Sequence, residues 1–151
     1  MANRSPPSLT EPEVFDAIVI GTGQSGPSLA ARLADAGKKT AILERKLLGG
    51  TCVNDGCIPT KTLIASALAA HVARRCAEFG VEIGGPVRVD MATGKARKDT
   101  IVTQSVAGRT AWIGKRANLA LIHAQSPCRP AHRTRLGARA LSAPPLLLAP
   151  R

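Results

Sequence analysis

The chain of 151 residues has no tyrosine, one tryptophan and two phenylalanines. So few aromatics exclude the stacking platforms that hold single-stranded nucleic acid. No aspartate or glutamate follows Asp99, and eight of the 21 basic residues lie beyond that point, within a net charge of +11. A basic tail invites a nucleic-acid reading. Its arginines, however, are scattered through Pro-, Ala- and Leu-rich sequence with no aromatic after Trp112, so no nucleic-acid partner is expected. No apolar run approaches the ~20 residues of a membrane helix, and Leu146-Leu147-Leu148-Ala149 is only strand-sized. No membrane partner is expected. Residues 1–12 lack the apolar segment of a secretory signal and read as a loose, proline-rich arm. Four cysteines without such a signal suit a reducing compartment, and the cytoplasm is the expected location. His71, Cys76 and Cys128 follow no ligand spacing, so no metal site is expected.

What is present begins with a β-branched run, Val14-Phe15-Asp16-Ala17-Ile18-Val19-Ile20. It reads as a buried parallel strand. Gly21-Thr22-Gly23-Gln24-Ser25-Gly26 follows at once. Leu29, Ala30, Leu33 and Ala34 then recur at helical spacing, and Gly37 is a natural stop. Thr40-Ala41-Ile42-Leu43 reads as a second strand, closed by Glu44. A lone GxGxxG is weak, but strand, glycine turn, helix, strand and acid in this order match a dinucleotide-binding fingerprint. Gly21 permits the tight turn, Gly23 lets the backbone approach a pyrophosphate, and Gly26 lets the helix pack against the strand. Pro27 is tolerated because the first helical turn does not use its N–H. Glu44 is placed to accept hydrogen bonds from ribose hydroxyls.

Cys52 and Cys57 stand five residues apart among glycines. On a straight helix that spacing separates side chains by ~140°, so an ideal helix would keep the sulfurs apart. Gly56 and Pro59 allow a distorted helix start that brings them together, near a helix N-terminus where thiolates are stabilised. By spacing alone the pair reads as a redox dithiol or as two core thiols, with zinc disfavoured.

The flanking residues decide between these. Gly49-Gly50-Thr51-Cys52-Val53-Asn54-Asp55-Gly56-Cys57-Ile58-Pro59-Thr60-Lys61 resembles the active-site segment of the flavin-dependent pyridine nucleotide–disulfide oxidoreductases. The Gly-Gly-Thr-Cys-Val-Asn opening looks most like the mercuric and glutathione reductase branches, and the chain is read as mercuric-reductase-like. Asp55 departs from the family's small apolar residue and disfavours a neighbouring thiolate. The resemblance implies FAD as the cofactor, with contacts from Gly21, Gly23, Gln24, Ser25, Gly26, Glu44, Arg45, Gly50, Thr51 and Lys61, and from backbone near Ser126. It implies that Cys52, Cys57 and Lys61 are catalytic: Cys57 deeper and beside the flavin, Cys52 as the interchange thiol, and Lys61 one turn on, stabilising negative charge. NAD(P)H and a homodimer are implied for full-length relatives, and a small-molecule disulfide or mercuric ion as substrate.

Thr60 to Phe79 reads as helical, with Leu63, Ile64, Ala67, Leu68 and Val72 on one side and Gly80 as the stop. His71 there reads as an ordinary, partly exposed histidine and Cys76 as a packing thiol. Val81–Ile83 and Val87–Val89 read as short extended pieces. Asp90 is a plausible N-cap for a long helix to about Lys115. Asn118–Ile122 reads as a strand, His132–Leu136 and Ala138–Ser142 as a hairpin, and Leu146–Ala149 as a further parallel strand. The expected fold is α/β: a partial Rossmann-like, doubly wound FAD-binding domain with a small β-meander near the C-terminus. The parallel strands are expected in the order 118–122, 40–43, 14–20, 146–149. The expected domains are a 1–12 arm, a 13–123 FAD-binding domain with the redox helix, and a divergent 124–151 segment. The acid-free, proline-rich end suggests a truncated gene with a frame change near residue 124, lacking NAD(P)-binding and dimerisation domains. The function expected is therefore that of an oxidoreductase fragment; the alternative is a catalytically dead remnant with weak or no FAD binding.

Overall fold

A computed structural model describes residues 13–124, 133–136, 139–144 and 146–148. The chain divides into two compact units, one formed by residues 1–47 and 112–151, the other by residues 48–111.

The first unit contains a four-stranded parallel sheet. Its strands are β2 (Ala17–Ile20), β3 (Thr40–Glu44), β4 (Leu119–His123) and β7 (Leu146–Leu148), in the order β4-β3-β2-β7. The register pairs Ile18 with Ala41, Ala41 with Ala120, and Ile18 with Leu146. This is the expected order. A second sheet, β1-β6-β5, uses β1 (Glu13–Val14), β5 (Arg133–Leu136) and β6 (Arg139–Ser142). The antiparallel β5–β6 pair is the expected hairpin, and β1 runs parallel to β6.

The segment read as one strand from Val14 to Ile20 is split between the two sheets. Phe15 donates its N–H to Ser142 O at 3.0 Å, whereas Asp16 donates to Lys39 O at 2.8 Å. The backbone thus changes partners within two residues, and Asp16 Oδ2 fixes the crossing by accepting the Lys39 N–H at 2.7 Å. An apolar run records burial but not which neighbour supplies the ladder.

Ile18, Ala41 and Leu43 form one core with Phe15, Leu141 and Ala143, so the small sheet covers one face of the large one. Val19 and Ile42 are also fully buried. Helix α1 (Gly26–Asp35) packs on β2 and β3 and buries Ala30, Ala31 and Ala34. Burial on both faces explains why β2 and β3 read as continuous apolar runs.

The end of α1 is tied to the start of β4. Arg116 grips Asp35 with two donors, Nε to Oδ1 at 2.8 Å and Nη2 to Oδ2 at 3.1 Å, and its guanidinium lies 4.3 Å from the Trp112 ring centroid. The hydrogen bond from Arg116 holds the Asp35 carboxyl below its ordinary range. Asn118 Nδ2 donates to Ala34 O at 2.6 Å and Lys38 O at 3.2 Å, satisfying carbonyls at the helix end. Asn118→Ala removes both bonds. It is expected to lower stability by about 1–2 kcal/mol, read as a lower urea midpoint at unchanged slope. A midpoint equal to the wild type would show that water replaces the amide at no cost.

The second unit holds α2 (Gly50–Asn54), α3 (Cys57–Arg74), a 3₁₀ turn (Cys76–Phe79) and most of α4 (Met91–Gly114). The helix expected from Thr60 starts three residues earlier and ends at Arg74. Gly80, at φ +72°, stops the 3₁₀ turn and not the helix it was expected to end. Asp90 caps α4: Oδ1 accepts Ala92 N–H at 2.9 Å and Oδ2 accepts Thr93 Oγ1–H at 2.5 Å. Arg97 ties α4 to α3 by donating to Thr62 O at 3.0 Å and Ser66 Oγ at 3.2 Å. The apolar side expected on α3 is not a core: Leu63, Ile64, Leu68 and Val72 are all exposed. Helical period marks a side without naming what covers it. Cys76 is half-buried in an apolar groove with Val72, Phe79 and Val81, and His71 is exposed beside Arg75. Val81–Ile83 and Val87–Val89 form no strand, because neither has a ladder partner among the described residues.

Candidate functional site

The elements of the glycine fingerprint lie in the first unit, at the carboxyl ends of β2 and β3, where open parallel sheets bind ligands. Gly21 leaves β2 with φ +102°, which favours glycine, and donates its N–H to Leu43 O at 2.8 Å. Helix α1 begins five residues on, at buried Gly26, with Pro27 in its first turn. No side chain caps this helix start, and its first turn holds no acid. Its leading N–H groups and positive dipole end therefore meet no competing carboxylate from the helix itself. Gln24 and Ser25 are exposed in the turn, and Arg45 is exposed just beyond β3.

Glu44 closes β3 and is buried. Its Oε2 accepts Thr22 N–H at 3.0 Å and Thr22 Oγ1–H at 2.5 Å, while Oε1 accepts Lys46 N–H at 2.9 Å. Burial opposes ionisation here. The Thr22 hydroxyl and the N–H groups of Lys46, Thr22 and Arg45 outweigh it and hold the carboxyl below the ordinary glutamate range. Because the folded value is depressed, the stability Glu44 contributes is present at neutral pH and is lost as pH falls through that value. Sequence reasoning assigned Glu44 to a ribose and missed Thr22. The only signal was a hydroxyl residue inside the glycine turn, and its partner lies 22 positions away.

The cysteine segment lies in the second unit. Gly49 takes φ +100° and Gly50 φ +61°, a left-handed pair that turns the chain into the five-residue helix α2. Asn54 holds that turn by donating Nδ2–H to Leu48 O at 3.1 Å and Gly50 O at 2.9 Å. The helix then breaks at Asp55 and Gly56, the latter at φ −122° and ψ −105°, and α3 begins at Cys57. Pro59 needs no N–H partner so near a helix start. The break places the Cα atoms of Cys52 and Cys57 4.6 Å apart, joined as a disulfide, within the range such bonds require. A straight helix over these residues would not allow it.

Cys57 is exposed and Cys52 half-buried, the reverse of the depth the resemblance implies. Cys57 opens α3 at its uncapped end, whereas Cys52 sits inside α2. Lys61 is exposed one helical turn after Cys57, and Thr51 is exposed beside half-buried Gly50. Ser126 lies outside the described residues. Among the described residues no helix is long and apolar enough to cross a membrane.

A parallel sheet with a glycine turn, carried on one chain with a helix-start disulfide, defines an α/β protein of the Rossmann-like class. The chain belongs to the pyridine nucleotide-disulphide oxidoreductase family, whose model matches residues 15–137. It is 46% identical over 90 residues to a dihydrolipoyl dehydrogenase of Chlamydia muridarum, covering 60% of this chain and 19% of that protein. It is 40% identical over 94 residues to the Bacillus subtilis dihydrolipoyl dehydrogenase, covering 62% and 20%. The chain thus spans about a fifth of the length of these relatives. Among solved structures, the HOCl-induced flavoprotein disulfide reductase of Escherichia coli superposes with a TM-score of 0.71 at 27% identity, over 89% of this chain and 28% of the other.

Proposed function

We propose that this chain is the FAD-binding, dithiol-bearing part of a flavin-dependent disulfide reductase. The observation that carries the reading is the Cys52–Cys57 disulfide, closed across a helix break, in a chain that also holds the glycine turn and Glu44. The glycine-lined turn, the helix start without an acid and the anchored carboxylate fit a dinucleotide diphosphate. In this reading Gly21, Gly23 and Gly26 shape the turn, the first N–H groups of α1 bind the pyrophosphate, and Glu44 accepts from a ribose. Gln24, Ser25, Arg45, Gly50, Thr51 and Lys61 flank the cofactor. FAD, when bound and reduced by two electrons from NAD(P)H, would supply the electrons that open the cysteine pair.

The cysteines then pass those electrons on. One thiolate, Cys52 by the family's division of labour, attacks the substrate disulfide and releases one substrate thiol. The other cysteine attacks the mixed disulfide, expels the second thiol and restores the Cys52–Cys57 bond. Two protons end on the substrate thiols, and the pair returns oxidised. Lys61 favours the thiolate through its charge. A lipoyl-type dithiol–disulfide is the substrate class favoured by the dihydrolipoyl dehydrogenase likeness. Mercuric ion is the alternative suggested by the Gly-Gly-Thr-Cys-Val-Asn string. NAD(P)H as electron source, a homodimer and a reducing, cytoplasmic setting complete the proposal for the longer form.

The test is the visible absorption spectrum of the purified chain with added FAD, before and after partial reduction. Flavin bands near stoichiometry with a long-wavelength shoulder are expected, since a thiolate against an oxidised flavin absorbs there. A chain that retains no FAD overturns the reading in favour of a catalytically dead remnant. In a reduced chain, release of dithiol from a lipoyl disulfide, set against consumption of mercuric ion, separates the two substrates.

A further inference from the structure

The carboxylate of Glu44 is held more tightly by its own chain than ribose recognition requires. Thr22 supplies two donors to Oε2, and Lys46 supplies one to Oε1. Of the roughly four acceptor positions on a carboxylate, both on Oε2 are taken by Thr22, so Oε1 is the oxygen left to face a ligand. Thr22 is fully buried, and Glu44 is 7% exposed. A glycine or alanine at position 22 would keep the backbone N–H and lose the hydroxyl, freeing the carboxylate to rotate.

We propose that Thr22 is a positioning residue for the dinucleotide: its hydroxyl pins Glu44 Oε2 so that Oε1 faces a ribose hydroxyl. The inference rests on the FAD reading and deepens it. Thr22 acts through Glu44 and does not touch the ligand. A pinned carboxylate meets the ribose with its rotational freedom already lost, which favours binding. It also presents negative charge at the ribose, so a ribose carrying a phosphate is repelled.

The experiment is a fluorescence titration of FAD onto the full chain and its variants, with urea unfolding of each apoprotein beside it. Thr22→Val keeps the shape and removes the donor. It is expected to weaken FAD binding by ~10-fold or more, as loss of a hydrogen bond to a charged group implies. Thr22→Ser is expected to restore affinity to within about threefold of the wild type. In a Glu44→Ala background, adding Thr22→Val is expected to change affinity less than about twofold, because no acceptor remains for the hydroxyl to position. A purely structural role would give a similar loss in both backgrounds and a parallel fall in the urea midpoint. If Thr22→Val does not fold, Thr22→Ala serves, since a small residue fits the turn. Wild-type affinity in the hydroxyl-free variant, or failure of serine to restore it, overturns the proposal. A wild-type chain that binds no FAD overturns the flavin reading instead, which is a different result.

Discussion

Cys57→Ser is expected to take up about two electrons per bound flavin in an anaerobic dithionite titration, where the wild type takes up about four, each redox couple being a two-electron step. Opening the disulfide consumes two electrons and two protons and yields two thiols. Serine at position 57 removes the sulfur that Cys52 bonds across the 4.6 Å separation of their Cα atoms. Cys52→Ser is expected to behave the same way. On the proposed mechanism, turnover of a disulfide substrate should fall by at least ~10³-fold in either variant, since the two sulfurs act as a unit. Thiol counting gives a reading that needs no flavin. Reducing the wild type exposes two thiols beyond those present before, and neither serine variant shows that gain. Equal electron uptake by the variants and the wild type would mean that the disulfide is not coupled to the flavin. Limiting iodoacetamide then addresses the order of the cysteines. Cys57 is exposed and Cys52 half-buried, so the reduced apoprotein is expected to be alkylated at Cys57 first. A shift of labelling to Cys52 on adding FAD is what the family's division of labour requires.

Gly49→Ala should be the most damaging single methyl in the redox segment. Gly49 sits at φ +100°, and a Cβ there would lie 2.6 Å from both Cβ and Cγ2 of Val53. Val53 is fully buried and cannot swing away. The left-handed backbone costs an L-residue about 1–2 kcal/mol, and overpacking adds about 1–3 kcal/mol. A loss of about 2–5 kcal/mol follows, with α2 displaced and closure of the Cys52–Cys57 bond slowed. The built-in comparison is Gly80→Ala. Gly80 also has a positive φ, but a Cβ there meets nothing within 4 Å, so only the backbone term of about 1–2 kcal/mol applies. Comparing the urea midpoints and reoxidation rates of the two variants isolates the steric term. Equal effects would show that Val53 yields, and that the contact does not hold α2 in place. Gly56→Ala should fall between them, because its Cβ would lie 3.2 Å from the Thr51 carbonyl oxygen across the helix break.

Much of the nucleotide half was legible in the residues. The Gly21–Gly26 turn, the α1 spacing, the β3 run and its closing Glu44 are local signals, and each forms where the pattern put it. The strand order β4-β3-β2-β7 followed from the same family pattern. For the cysteines, spacing left dithiol and core thiols open, and the flanking string decided between them. The structure then closed the bond by breaking one helix into two.

Sequence by itself determined most of the elements, because hydrophobic period, glycine placement and the Cys-x₄-Cys spacing are properties of short segments. Tertiary structure decided partnership. Val14 joined the small sheet because Ser142 lies beside Phe15, while Asp16 turned to Lys39. Glu44 is pinned on Oε2 by Thr22, 22 positions away in the chain. The apolar side of α3 stayed exposed. Each of these outcomes depends on which distant group arrives at a donor or an apolar side, and no local pattern carries that information.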